Sequence, residues 1–199
     1  MINFEQLKKI YQIGRDLQFS DAQKILSVAK SKTYAANEYL IQEGSLRREV
    51  FYIKKGLVRS FAINEKGDEI TLSLFWEHHL VVSPDIILFN QASRFYFQAL
   101  ELTEVLYLNY DVLQNIVESN PKLEKNRKFI FQRALKETQK RIESFVLYSP
   151  EERYIRYVAE NPDIVNRVPN KYIANVLGIT PVSLSRIRKR IASKKKNAK

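Results

Sequence analysis

Residues 176–186, VLGITPVSLSR, interrupt a helical pattern with a glycine and a proline three residues apart. Inside a continuous helix, a proline costs about 3 kcal/mol because it removes a backbone donor and crowds the preceding turn. In the first turn of a helix it is well tolerated. Gly178 suits the left-handed backbone of a tight corner. The stretch therefore predicts two helices joined by a sharp turn, with Pro181 starting the second helix.

A helix-turn-helix motif that starts at Asn170 explains the residues around this turn. Its two helices need apolar side chains where they face each other and a small residue where their backbones approach. The apolar positions are filled by Ile173, Leu177, Ile179, Leu184 and Ile187. Ala174 is the small residue, and Thr180 is positioned to cap the second helix. The pattern thus agrees with the motif at its structural positions.

Positive charge is concentrated in the same part of the chain. The net charge of +11 is the balance of −2 over residues 1–120 and +13 over residues 121–199, and no acidic residue follows Asp163. A field of one sign is typical of proteins that bind a polyanion, because each neutralised phosphate releases counterions. A basic tail that only confers solubility is the alternative. Binding to a membrane surface is disfavoured because the segment lacks the Trp/Phe face of an interfacial helix.

The outward face of the second helix is short-chained and cationic. In a major groove, arginine bridges the guanine acceptors, and lysine or serine contacts phosphates. The predicted DNA-contacting residues are Asn170, Lys171, Thr180, Val182, Ser183, Ser185, Arg186, Lys189 and Arg190. We therefore predict double-stranded DNA as a partner.

The first 120 residues predict an antiparallel β-roll preceded by two helices. The helices are expected at residues 4–17 and 20–31, with Ser20 as the N-cap of the second. Over residues 34–108 the period changes to that of short strands separated by polar turns. Gly44, Gly56 and Gly67 lie where these strands must turn. Regularly spaced short strands of this kind indicate a barrel or jelly roll.

Helical periodicity returns after Tyr110. A short helix is expected at residues 111–119, and a helix of about 27 residues follows at 122–148, within a segment 121–148 that contains no glycine. A narrow apolar stripe at heptad spacing runs along it, formed by Phe131, Leu135, Thr138, Ile142 and Phe145. We predict that this stripe joins two copies into a homodimer; packing of the helix onto its own domain is the alternative. Residues 149–199 then form the DNA-binding domain with its basic tail.

Several function classes are excluded or disfavoured by composition. There is no cysteine, and hence no disulfide, thiolate metal site or cysteine-held iron–sulfur cluster. The chain lacks the GxSxG, P-loop and HExxH motifs, so no enzyme activity is expected. His78 and His79 are the only histidines, and we expect them in a turn instead of at a haem. We expect a cytoplasmic protein without a cofactor, metal or membrane segment.

The order of parts resembles the Crp/Fnr superfamily of bacterial transcription regulators, which includes the cyclic-AMP receptor protein. The resemblance covers nearly the whole chain. Its motifs are YLIQEGS and VFYIKKGLVRSFAINEKGDEIT in the roll and KYIANVLGITPVSLSRIRKRI near the end. It implies an α+β fold: a cyclic-nucleotide-binding-like jelly roll, a long dimerisation helix and a C-terminal, winged-helix-like helix-turn-helix domain. It further implies a homodimer on a pseudo-palindromic operator, with a small-molecule effector and RNA polymerase as further partners.

In the DNA-binding motif, the resemblance gives Arg186 the role of contacting bases, and Thr180 and Ser183 that of contacting the DNA backbone. Pro181 and Val182 stand where the cyclic-AMP receptor has polar base-reading residues, so a different operator is expected. The family's wing usually follows the recognition helix. Here the chain continues as IASKKKNAK, which is expected to be a flexible phosphate-contacting extension, and a wing is expected before the motif, at residues 164–168.

The ligand pocket departs from the family pattern. Ser83, Pro84 and Asp85 stand where relatives that bind cyclic nucleotides have a Gly-Glu pair, and proline lacks the backbone donor of a phosphate cradle. Arg94 is near the phosphate-binding arginine, but Phe95 and Tyr96 follow it instead of a small residue. The pocket candidates are Asp85, Arg94 and Tyr96. Asp85 and Arg94 are alternatively ordinary surface or turn residues, and cyclic AMP is not the expected ligand.

A protein of another function class is the alternative to a DNA-binding regulator. A β-roll that binds a small ligand or serves as a scaffold could use its basic C-terminus only to dock on an acidic partner. Salt dependence separates the two readings, since a DNA reader keeps a preference among duplexes and a nonspecific tail does not.

Overall fold

The computed structural model describes residues 19–197, and the helix predicted at residues 4–17 lies outside this range. The first described element is α1 (Phe19–Val28). Ser20 lies within this helix and is therefore not its N-cap. The helix ends three residues before the predicted end at Ser31, because β1 already begins at Lys30 and takes Lys30 and Ser31 into the sheet.

The next part of the chain forms two four-stranded antiparallel sheets. In the first, the strand order is β1-β8-β3-β6. Its strands are β1 (Lys30–Tyr34), β3 (Glu49–Lys55), β6 (Leu80–Val81) and β8 (Thr103–Asn109). In the second, the order is β2-β7-β4-β5, formed by β2 (Tyr39–Ile41), β4 (Val58–Ile63), β5 (Glu69–Phe75) and β7 (Tyr96–Ala99). The predicted antiparallel roll is confirmed.

The interior of the roll is filled by alternate residues of its strands. Phe51, Ile53, Val58 and Val105 are fully buried in one apolar cluster. Alternation of this kind follows from the two-residue period of a strand, which sends successive side chains to opposite faces. Gly44, Gly56 and Gly67 all have positive φ and lie at turns, as the sequence predicts.

Three helices complete this part of the molecule. The short helix α2 (Pro84–Phe89) lies between β6 and β7. Helix α3 (Tyr110–Glu118) begins where Asn109 caps it by accepting hydrogen bonds from the backbone amides of Asp111 and Val112. The long helix α4 (Pro121–Leu147) has 27 residues, and so both helices fall within one residue of their predicted positions.

The C-terminal part of the described chain is entirely helical. It contains α5 (Pro150–Glu160), α6 (Ile164–Arg167), α7 (Asn170–Val176) and α8 (Pro181–Asn197). Residues 164–167 form a helical turn, so the wing strand expected at residues 164–168 is wrong. The prediction of a flexible extension is also wrong up to Asn197, because α8 continues to that residue without a break. The alanine, serine and lysine residues there are compatible with a helix, and no glycine or proline ends it.

The chain divides into two compact units. One contains the chain up to Ala62 together with Ser73–Leu135, and the other contains Ile63–Leu72 and Lys136–Lys199. The roll core belongs to the first and the helix-turn-helix to the second. Among the described helices, none is long and apolar enough to cross a membrane.

Candidate nucleic-acid interface and ligand pocket

The turn between α7 and α8 has the geometry that the sequence predicts. Gly178 has φ +64°, and its amide donates to the carbonyl of Asn175 at 2.9 Å. Thr180 caps α8, since its Oγ1 accepts a hydrogen bond from the Ser183 amide at 3.1 Å. Pro181 is the first residue of α8, where its missing amide proton leaves no helical hydrogen bond unmade.

The facing sides of α7 and α8 are apolar and closely packed. Ile173, Ala174 and Leu184 are fully buried, and Leu177 and Ile187 are nearly so. Ile179 is half-buried. The buried positions are those at which the motif requires apolar or small residues, so the predicted helix-turn-helix packing is confirmed.

The opposite side of α8 is exposed. Val182, Ser185, Arg186 and Lys189 all lie on the surface, whereas Ser183 is half-buried. Arg186 forms no ion pair or side-chain hydrogen bond with any described residue. A guanidinium with all its donors open to solvent can make the bidentate contact that arginine forms with guanine.

Other basic residues of α8 are already bound within the unit. Glu151 of α5 accepts from Arg190 at 2.6 Å and from Lys194 at 2.9 Å. The hydrogen bond from Lys194, followed by attraction to Arg190, lowers the pKa of the Glu151 carboxyl. Sequence reasoning placed Arg190 on the DNA-contacting face and did not identify Glu151 as its partner.

Arg188 has a structural role that the sequence did not indicate. Its Nε donates to the Tyr154 hydroxyl at 3.0 Å, and one of its terminal nitrogens donates to Asn170 Oδ1 at 2.6 Å. Asn170 is thus both a predicted DNA contact and a partner of Arg188. Because α5 is far from α8 in sequence, spacing alone could not reveal these pairs.

The end of α4 contacts the turn of the motif. A Cβ atom at Gly178 would lie 2.6 Å from Cε1 of Phe145, so only glycine fits there without displacing that ring. Two guanidinium groups also lie close to the ring, with Arg153 at 5.0 Å and Arg141 at 5.9 Å from its centroid. Phe145, which we predict in the dimer stripe, is therefore also a contact of its own chain's turn.

The predicted dimer stripe is exposed along its whole length. Leu135 is 69% exposed, and Phe131, Thr138, Ile142 and Phe145 are exposed as well. Large apolar side chains in a row on a surface are uncommon unless a partner covers them.

The candidate ligand pocket contains a closed ion pair. Asp85 is only 2% exposed, and its carboxylate accepts from Nε of Arg94 at 3.1 Å, from a terminal nitrogen at 2.9 Å and from the Arg94 amide at 3.0 Å. Burial acts to raise the pKa of Asp85, but the hydrogen bonds and the charge of Arg94 outweigh it, so that pKa lies below its ordinary value. The surface interpretation is therefore wrong for Asp85, whose burial is stabilised by the pairing.

Two further contacts involve residues close in sequence to this pair. Ser83 Oγ donates to Ser93 Oγ at 3.0 Å, next to the short helix that begins at Pro84. Tyr96 stacks on Phe61 with ring centroids 4.9 Å apart. Of the three pocket candidates, Asp85 and Arg94 bind each other directly, whereas Tyr96 contacts Phe61.

The two histidines lie in the turn between β5 and β6, as expected. His78 has φ +71°, and its Nδ1 lies 2.7 Å from the Tyr52 hydroxyl. His79 packs against Trp76, with ring centroids 4.2 Å apart. Burial lowers the pKa of His79. In the part of the chain that the structure describes, no group of acidic or histidine side chains is arranged to hold a metal ion.

Comparison with known proteins agrees with this architecture. Residues 31–120 match the family model of the cyclic nucleotide-binding domain. The chain is 24% identical over 178 residues to electron transport regulator A of Shewanella oneidensis, covering 80% of this chain and 68% of that protein. It is 25% identical over 172 residues to the fumarate and nitrate reduction regulatory protein of Vibrio cholerae, with the same coverage.

The fold is also that of a solved structure. The structure of FixK2 from Bradyrhizobium japonicum superposes with a TM-score of 0.72 at 15% sequence identity, over 84% of this chain and 86% of that one. In this chain, a roll that matches the cyclic nucleotide-binding domain, a long helix and a C-terminal helix-turn-helix follow one another. The chain thus contains a roll that matches the cyclic nucleotide-binding domain, and it is similar over most of its length to bacterial regulators of the Fnr type.

Proposed function

We propose that the protein is a sequence-specific DNA-binding transcription regulator that works as a cytoplasmic homodimer. The observation that carries the proposal is Arg186, which is exposed and unpaired on the outward face of α8. Glu151 pairs with two cations of this helix, Arg190 and Lys194, and not with Arg186. A free guanidinium on a recognition helix is the residue that reads guanine in a major groove.

Other exposed residues of the motif support contact between the outward face of α8 and DNA. Lys171 and Lys189 are exposed on α7 and α8, where they can contact phosphates on either side of the groove. Val182 can touch a thymine methyl group but cannot read a base by hydrogen bonding. We therefore expect one strongly specified base position at Arg186 and weaker specification near the start of α8.

Dimerisation through the exposed stripe of α4 explains how two readers reach one operator. Two such helices packed side by side bury the stripe, and the two α8 helices then enter successive major grooves about 34 Å apart. Leu135→Glu is expected to give monomers with weak DNA binding, measured by light scattering and fluorescence anisotropy. Lys136→Gln changes charge by the same amount outside the stripe and is expected to remain a dimer. A Leu135→Glu dimer as stable as wild type would contradict the stripe as the interface.

We further propose that the signal at the roll is not cyclic AMP. Asp85 neutralises the arginine that would otherwise attract the cyclic phosphate, and the pair is held by three hydrogen bonds. Calorimetric titration of cyclic AMP and cyclic GMP into the purified protein is expected to show no binding in the micromolar range. Saturable micromolar binding of either nucleotide would overturn this part of the proposal.

The proposed function is tested by selecting bound duplexes from a random pool. We expect enrichment of a site with two inverted half-sites centred about 10 base pairs apart, since one helical turn separates successive major grooves. Binding should weaken steeply with salt while the preference for the selected site remains. Binding without any enriched sequence would favour a scaffold with a nonspecific basic tail. RNA polymerase would be the next partner to test on the selected site.

A further inference from the structure

An apolar cavity of about 320 Å³ lies on the outer face of the first sheet, inside the unit that contains the roll core. We call it the outer-sheet cavity. Val50, Tyr52 and Leu106 of the sheet form its floor, and Ile25, Leu113 and Ile130 of three helices form its walls. It lies on the opposite face of β3 and β8 from the roll core, because Phe51, Ile53 and Val105 point inward while their neighbours Val50, Tyr52 and Leu106 point outward.

One polar side chain in the wall of the cavity has no partner. Asn126 of α4 is 3% exposed, and neither its Oδ1 nor its Nδ2 makes a hydrogen bond to any described residue. A buried side-chain amide without partners is rare in native proteins, because desolvation of each polar atom is then uncompensated. Asn126 therefore brings to the cavity wall one acceptor and two donors that have no partner among the described residues.

Three other polar side chains of the wall already have partners. Gln114 donates to Glu118 at 2.8 Å, Arg127 donates to Glu124 at 2.8 Å, and the Tyr52 hydroxyl lies 2.7 Å from His78. A water molecule needs two to four polar partners, so this wall is poorly suited to a water cluster. An apolar body with a single polar group fits it better.

We propose that the outer-sheet cavity binds a small amphiphile with one uncharged head group that both donates and accepts hydrogen bonds. The head group pairs with the amide of Asn126, and the apolar body fills the space between the sheet and the helices. Since a water molecule occupies about 30 Å³ in the liquid, the volume corresponds to roughly ten non-hydrogen atoms. A primary amide or alcohol of medium chain length has this size and chemistry.

The position of the cavity gives such a ligand a route to the dimer stripe. Phe131 forms part of the cavity wall and is also the first residue of the stripe, with 39% of its surface exposed. A ligand that packs against the cavity side of the Phe131 ring changes the position of the exposed side of the ring, which belongs to the stripe. This role as an effector site rests on the proposed function, whereas the binding itself rests on the cavity and Asn126.

The test uses octanamide, which has ten non-hydrogen atoms (about the volume estimated above), added to the full-length protein without DNA. Calorimetry is expected to show saturable one-to-one binding, and acetamide, which lacks the apolar body, is expected not to bind. Asn126→Leu should weaken octanamide binding roughly tenfold, the effect of losing one uncharged hydrogen-bonding partner. Asn115→Leu makes the same change at an exposed position outside the cavity and should have no effect.

Filling the cavity provides an independent variant. Ile130→Trp should abolish octanamide binding; if this variant fails to fold by circular dichroism, Ala29→Leu fills the cavity from α1 and β1 instead. Absence of saturable octanamide binding to the wild type would overturn the proposal. So would binding that persists in the filled variant, or equal affinity of wild type and Asn126→Leu. Because these measurements contain no DNA, they are independent of whether the protein reads an operator.

Discussion

The resemblance places both Arg94 in the roll and Arg186 in the recognition helix at expected anion-binding positions, but their surroundings differ. Arg94 donates two side-chain hydrogen bonds to a buried carboxylate, whereas Arg186 has no partner among the described residues. Both residues are arginines, so the residue type does not reveal this difference. An arginine binds an added phosphate only if a carboxylate of its own chain has not already neutralised it. Under the proposed function, the DNA-contacting arginine stays available to an anion, whereas Arg94 is held in an internal ion pair.

The largest expected effect on DNA affinity comes from placing a carboxylate beside Arg186, as Asp85 lies beside Arg94. Val182→Glu places a carboxylate one helical turn before Arg186, at the spacing of an ion pair. Affinity for the selected duplex should fall at least about 100-fold, because the arginine is neutralised and the added charge repels phosphate. Val182→Gln has nearly the same shape without the charge and should lose less than about tenfold. Equal losses in the two variants, measured by anisotropy, would show that charge at Arg186 is not decisive.

The next effect concerns the corner that orients the reading helix. Gly178→Ala should lower the free energy of unfolding by more than about 1 kcal/mol, because alanine is strained at positive φ and its Cβ would collide with Phe145. Gly67→Ala is the matched control: φ there is also positive, but no atom lies within 4 Å of the added Cβ. Urea denaturation should show a larger loss for Gly178→Ala. Equal losses of unfolding free energy in the two variants would show that the contact with Phe145 does not contribute to stability.

A smaller effect is expected from removing the charge of Asp85. Asp85→Asn should lower the free energy of unfolding by about 1 kcal/mol at pH 7, the low end for a charged hydrogen bond because Arg94 is largely exposed to water. Asp111→Asn removes a carboxylate that pairs with Arg48 on the surface and should change stability by less than about 0.5 kcal/mol. If the two substitutions cost the same, Asp85 is not the stabilising partner that its burial indicates.

The smallest effect is a dependence on pH. Since the pKa of Asp85 is lower in the folded protein than in the unfolded chain, the pair adds stability above pH 4 and loses it as pH falls through the folded value. The difference in unfolding free energy between wild type and Asp85→Asn should therefore be constant from pH 7 to 5 and shrink below about pH 4. A difference that stays constant to pH 2 would contradict the lowered pKa.

Local sequence patterns predicted much of this fold. The corner at Gly178, the start of α8 at Pro181 and the apolar faces of α7 and α8 follow from backbone and packing rules that act within about ten residues. The long helix was predictable because no glycine or proline interrupts it. These features need no knowledge of distant contacts.

Distant pairs were beyond the reach of sequence patterns. Glu151 neutralises Arg190 across 39 positions of the chain, and only the fold brings them together. The same holds for the contact of Phe145 with Gly178 and for the cavity beside Asn126, whose three helices and sheet are separated in sequence. The wing expected at residues 164–168 followed from the resemblance and not from a strand pattern, and a run of four or five residues carries too little periodicity to reveal the helical turn found there.

The central claim is that Arg186 supplies specificity, and the most direct measurement is the ratio of Kd values for the selected duplex and a scrambled duplex of the same composition. In the wild type and in Arg190→Ala the selected duplex should bind much more tightly. In Arg186→Ala the preference should fall by about tenfold or more, while affinity for the scrambled duplex changes little. An unchanged ratio in Arg186→Ala would contradict the claim that this arginine reads the operator.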